Sequence, residues 1–218
     1  MIQSISILLL SLFLLPDGNG SETTSWKKVH IRQGITVSER WISLPDGQKT
    51  RQRKGEFTTR AKAEDLILLL NDTDNATQWM RAVSRHEKLG SRSQNQWYTY
   101  TIYDIPWPFK SQDLISYYQC AETKSRNGYQ VQINSVSGAI PLGIKRPDRP
   151  DKNLKRLSNY EAEWIIEELT PELCSVRFTA SSSDPPPFPR WMMDPVLIRL
   201  FEDNLIRFRA MSQNKILK

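Results

Sequence analysis

The chain has 218 residues, 39% hydrophobic and 25% charged, with a formal charge of +6. That length serves one domain with a sizeable core, not two, and the balance is that of a soluble globular protein. Two histidines, His30 and His86, have no carboxylate or cysteine at motif spacing. With no serine nucleophile elbow and no phosphate-binding glycine loop among nine glycines, the chain carries no metal-site or nucleotide-site pattern. No cofactor is expected.

Residues 5–15 form an apolar run broken only by serines, followed by Pro16 and Gly18-Asn19-Gly20. The run fits the core and cleavage site of a secretory signal, although no Lys or Arg precedes it, and it is short for a membrane span. Residues 1–20 are expected to be a signal peptide and 21–218 the mature domain, periplasmic or secreted. Losing Asp17 with the leader moves the charge from +6 to +7. A basic balance suits anionic membrane surfaces, nucleic acid or a plain soluble surface.

Residues 28–32 and 35–42 read as strands around Gly34, with Ile35, Val37 and Trp41 on one face. Leu44-Pro45-Asp46-Gly47 is a turn. Residues 51–59 return as a charged strand, expected at a sheet edge. Over 62–71 the period changes: Ala63, Leu66, Ile67 and Leu70 fall at helical spacing, and Leu68 and Leu69 widen the stripe as if the helix were covered on more than one side. A short turn at 76–80 leads to a strand over 83–89.

The stretch from Trp97 to Cys120 reads as two strands meeting at a rigid corner. Trp97, Thr99, Thr101 and Tyr103 share one face, and Tyr98, Tyr100 and Ile102 the other; which face points inward the pattern leaves open. Pro106 and Pro108 end the first strand, because proline cannot donate to a ladder. The phrase from Asp104 to Asp113, DIPWPFKSQD, resembles the signature of START lipid-transfer domains, with Gln112 where the family usually has arginine. Further echoes are Trp79, Arg156 and Asp184-Pro185.

Strands follow over 129–136, 160–168 and 174–180, aligning Tyr129, Val131 and Ile133, then Tyr160, Ala162, Trp164 and Ile166, then Cys174, Val176, Phe178 and Ala180. Cys120 and Cys174 lie inside strands, where a buried free thiol is favoured over a disulfide. Residues 138–159 form a long loop, a length that is usually functional or disordered. Its tip carries Lys145, Arg146, Arg149, Lys152, Lys155 and Arg156, and its base Ile140 and Leu142. After the proline-rich 183–190, Asp194 before Pro195 reads as the cap and first residue of a helix. Leu197, Leu200, Phe201, Asn204, Leu205, Phe208 and Met211 make its stripe.

Three strands, a helix, six strands and a long amphipathic helix give an α+β chain. The START resemblance implies the helix-grip fold: a curved antiparallel β-sheet wrapped around a long C-terminal α-helix, enclosing a lipid-sized tunnel. On that reading the chain is non-catalytic and binds one lipid, whether sterol, phospholipid or isoprenoid-like. Tyr118, Val131, Ile133, Trp164, Ile166, Phe178, Leu197, Phe201 and Leu205 are the candidate tunnel walls. The loop residues Ile140, Leu142, Lys145, Arg149 and Lys152 would flank a mouth that meets an anionic membrane. The alternative is a cyclase-like enzyme acting on a polyketide-like substrate. A monomer is expected, and no nucleic-acid partner, since the basic loop has no interleaved aromatics.

Overall fold

A computed structural model describes residues 23–44, 46–105, 110–123, 128–136, 140–148, 154–184 and 188–214. The expected signal peptide and the Pro106-Trp107-Pro108-Phe109 corner lie outside the described residues. So do Arg149 and Lys152.

Alternating sequence becomes alternating burial in one ten-stranded sheet. Its strands are β1 (Lys27–Arg32), β2 (Ile35–Ser43), β3 (Lys49–Thr59), β4 (Val83–Ser93), β5 (Gln96–Tyr103), β6 (Gln112–Thr123), β7 (Gly128–Ser135), β8 (Lys155–Arg156), β9 (Tyr160–Thr170) and β10 (Leu173–Ser182). The spatial order is β1-β2-β3-β10-β9-β7-β6-β5-β4, every neighbour antiparallel, with β8 added parallel to the start of β6. The first hairpin turns on Gln33 and Gly34 at φ 49° and 75°, the geometry that matches the twist of its strands. Three register shifts in β4 bend that edge, as bulges do.

Three helices lie against the sheet: α1 (Ala63–Asn71), the single turn α2 (Ala76–Trp79) and α3 (Arg190–Asn214). α1 buries Ala63, Leu66, Leu69 and Leu70 but leaves Leu68 exposed, so it is covered on one side only. α3 has 25 residues, about 37 Å of helix. It starts earlier than Asp194-Pro195 suggests. The amides of Met192 and Met193 donate to the Pro189 carbonyl, and Pro195 is the sixth helical residue. The reason is electrostatic: the Asp194 carboxylate, taken above as a cap, accepts instead from Arg53 Nη2 at 2.9 Å. The carbonyl that Pro195 cannot serve belongs to Trp191, an exposed residue of the first turn.

The charged strand β3 is not an edge; it lies between β2 and β10. Arg51 and Arg53 both donate to Glu39 on β2, at 2.5 and 2.8 Å, and both face Asp194. Opposite charge from a neighbouring strand and from α3 makes an interior position tolerable for two arginines. The edges are β1 and β4.

Two cores result. The inner one unites α1, Trp79 and the Leu205–Phe208 turn of α3 with Ile35, Val37, Phe57, Trp97, Tyr118, Val131, Trp164 and Val176. The outer one joins Leu89, Tyr98, Tyr100, Ile102, Ile115 and Leu154, with Ile140 and Ile144 packed on it. Cys120 and Cys174 are buried free thiols on β6 and β10, three strand spacings apart, about 14 Å.

Candidate functional site: a cavity between the last helix and the sheet

α3 touches the sheet most closely over β3. A Cβ on Gly55 would fall inside the van der Waals shell of Leu205 Cδ1 and 3.1 Å from Phe201 Cε1. Away from that contact the curled sheet draws back, and a cavity of about 290 Å³ opens, at the lower end of the range for sites that enclose a small organic ligand.

Its walls are mostly apolar. Trp79, Phe208, Trp164, Phe178 and Phe201 form a continuous aromatic row, with successive ring centroids 5.1, 4.8, 4.3 and 5.4 Å apart. Trp79, Trp164, Phe178 and Phe201 line the space directly, joined by Leu70, Leu114, Ile133, Met193, Leu197, Leu200 and Leu205.

Of the nine wall positions read from sequence, seven line the cavity: Tyr118, Ile133, Trp164, Phe178, Leu197, Phe201 and Leu205. Val131 and Ile166 do not. Both point inward and are fully buried, but they lie toward the end of β7 and β9 that α1 covers, Val131 opposite Trp164 and Ile166 opposite Tyr129. Correct facing is not sufficient; position along the strand decides which residues reach the cavity.

One part of the lining is polar: His86, Tyr103, Gln112, Ser116, Tyr118 and Tyr160. Of these, sequence reading placed only Tyr118 in the site and left out His86, Tyr103, Gln112, Ser116 and Tyr160. β5 is buried on both faces, so its alternation could not say that Tyr103 points in, and β4 carries too few apolar residues to mark a face for His86. His86 Nδ1 lies 2.8 Å from Thr101 Oγ1, and burial lowers its pKa from 6.5 to about 4. Burial pushes the Tyr118 phenol up to about 12, and raises Tyr103 and Tyr160 in the same direction, helped by the neighbouring tyrosines. At neutral pH all four rings are uncharged.

The loop departs from its expected place. Ile140 packs on the outer core, on the sheet face away from the cavity. Leu142 is fully exposed and Lys145 is exposed, with its amide bonded to the Leu89 carbonyl. Arg156 is not a tip cation: it grips Asp113 with two bonds of 3.0 and 2.7 Å. Of the described loop residues, Lys155 and Leu157 line the cavity. The loop is drawn to the outer face because Tyr98, Tyr100, Ile102 and Ile115 present apolar surface there that must be covered.

Asp113, wholly buried, also accepts from the Tyr100 hydroxyl at 3.0 Å. Asp184 accepts the Ser158 and Asn159 amides. These two acids tie the two ends of β8 and its flanks to the sheet and to the approach of α3. Among the described residues no group of three or more His, Cys, Asp or Glu is placed to hold a metal.

No family model matches the chain. An uncharacterized protein of Pseudomonas aeruginosa is 19% identical over 174 residues, 79% of each chain. A STAR-related lipid transfer protein from Xanthomonas axonopodis superposes with a TM-score of 0.71 at 20% identity, covering 86% of this chain and 98% of that one. Human StAR-related lipid transfer protein 5 gives a TM-score of 0.68 at 15% identity, covering 88% of each. The chain has a START-like fold. An aromatase/cyclase from a Streptomyces species shares the architecture at a TM-score of 0.54 and 13% identity, covering 77% of this chain and 96% of that one. In the START-like frame the sequence echoes acquire positions: Trp79 in the aromatic row, Arg156 on Asp113, and Asp184 on the turn before β9.

Proposed function

We propose that the protein binds one hydrophobic lipid in the cavity between α3 and the sheet, and carries or senses it without chemical change. The observation that carries this reading is the cavity itself: an aromatic and aliphatic space of about 290 Å³ under a helix whose stripe supplies one wall. That size favours a compact or single-chain ligand over a two-chain phospholipid. Lipid-transfer proteins of similar fold support the choice of ligand class.

The test is mass spectrometry of organic extracts from the purified protein. One lipid species at near-stoichiometric amount is expected; a clean protein that also takes up no added lipid overturns the reading. A cyclase reading would use His86 and the tyrosines as acid and base groups. It fares less well because a general base works best with a pKa near the operating pH, and burial holds His86 at about 4.

The proposal includes export. The apolar run before Pro16 should be removed near Gly20, so protein from the native host should begin close to Ser21; retention of Met1 in a membrane fraction would refute it.

A further inference from the structure

The tyrosine-rich end of the cavity is chemically unlike the rest of it. Tyr103 and Gln112 are directly opposite one another on β5 and β6, while Tyr160 opens β9 opposite Ser182. All three side chains line the cavity. None of their side-chain polar atoms has a hydrogen-bond partner among the described residues, whereas His86 on β4 is anchored through Nδ1 to Thr101. These three side chains and His86 converge on one space from four strands.

We propose that His86, Tyr103, Gln112 and Tyr160 form a polar subsite for the neutral, oxygen-bearing head of the lipid, a hydroxyl or ketone. The inference rests on the lipid-binding reading and specifies its ligand. Phenol, amide and neutral imidazole groups both donate and accept, so they match an alcohol or carbonyl without requiring charge. The arginines of the lining are committed elsewhere: Arg51 and Arg53 to Glu39 and Asp194, Arg81 to Asp203, and Arg190 against the Trp41 ring.

Lys155 lines the same cavity and pairs in register with Gln112, which makes a carboxylate the competing head. The surroundings argue against it. The burial that lowers His86 and raises the tyrosines penalises any net charge at that depth. An alcohol leaves the region neutral.

The experiment uses the full chain, Nile red as an apolar reporter, and decanol, decane and decanoate as competitors. Ten-carbon single chains are small enough to suit a cavity of about 290 Å³, at the lower end for small-ligand sites. Decanol should displace the dye about tenfold more effectively than decane or decanoate, the worth of one or two neutral hydrogen bonds. Tyr103→Phe/Tyr160→Phe should abolish that preference, decanol then displacing the dye no better than decane. If the double variant fails to fold, Gln112→Leu supplies the same comparison. Equal displacement by decanol and decane overturns the subsite and leaves lipid binding intact. So does a preference for decanoate that Lys155→Met removes. Failure of Nile red and every competitor to bind overturns the lipid reading itself.

Discussion

Gly55→Ala is the smallest change that tests how α3 grips the sheet. Gly55 does not have a left-handed φ, so alanine meets no backbone strain, and in a strand it should be slightly favourable. Its methyl, however, would overlap Leu205 Cδ1 and crowd Phe201 Cε1 at 3.1 Å. Leu205 is 1% exposed and has one direction of escape, into the cavity it lines. Either α3 lifts or Leu205 turns inward, and overpacking of this kind costs about 1–3 kcal/mol. An inward turn of Leu205 shrinks the ligand space and should lower Nile red binding, whereas a lift of α3 leaves the space no smaller. Leu205→Ala alone should cost about 2–5 kcal/mol as a cavity mutation. Combined, the two should cost less than their sum by at least about 1 kcal/mol, since the shortened side chain makes room for the new methyl. Urea unfolding of the four proteins reads out the cycle. A neutral Gly55→Ala, strictly additive with Leu205→Ala, would show that helix and strand do not meet there.

His86 makes stability acid-sensitive. Its folded pKa of about 4 lies below the unfolded 6.5, so the unfolded chain binds the extra proton between those values. Stability is fully present above pH 6.5 and should fall by about 2 kcal/mol from neutral pH to about pH 5; His86→Gln should lose that part of the slope in urea titrations. Asp113→Asn should cost about 3 kcal/mol, because it strands Arg156 beside a neutral partner. Asp113→Asn/Arg156→Met should recover part of that loss in the urea midpoint. For the loop, Lys145→Glu/Arg149→Glu/Lys152→Glu should reduce co-sedimentation with anionic vesicles at low salt, each cation contributing about 1 kcal/mol near such a surface. Unchanged sedimentation would remove the loop from membrane contact.

Much of this architecture was legible because period-2 alternation and a helical stripe report burial directly. The stripe from Leu197 to Met211 and the inward faces of β7, β9 and β10 were readable for that reason. Where the physics was not local, the pattern misled. Arg51 and Arg53 read as an edge strand because sequence does not show Glu39 and Asp194 arriving from other elements to neutralise them. Asp194-Pro195 read as a helix start because the same arginines, far away in sequence, take the carboxylate that would have been the cap. The loop base read as a tunnel mouth because the need of Tyr98, Tyr100 and Ile115 for cover appears only once those strands are side by side. At the candidate site, apolar walls were visible and the polar end was not: a tyrosine on a strand buried on both faces carries no directional signal.

The central claim is that a lipid sits between α3 and the inner face of the sheet. It is tested most directly by photolabelling the full chain with a diazirine-tagged alkanol and mapping the modified peptides. The account predicts labels on α3 between Met193 and Leu205 and on Trp164, Phe178 or Tyr118, competed away by unlabelled decanol. Labels confined to the outer face, at Tyr98, Ile140 or Leu142, with the inner wall unmodified, would contradict it.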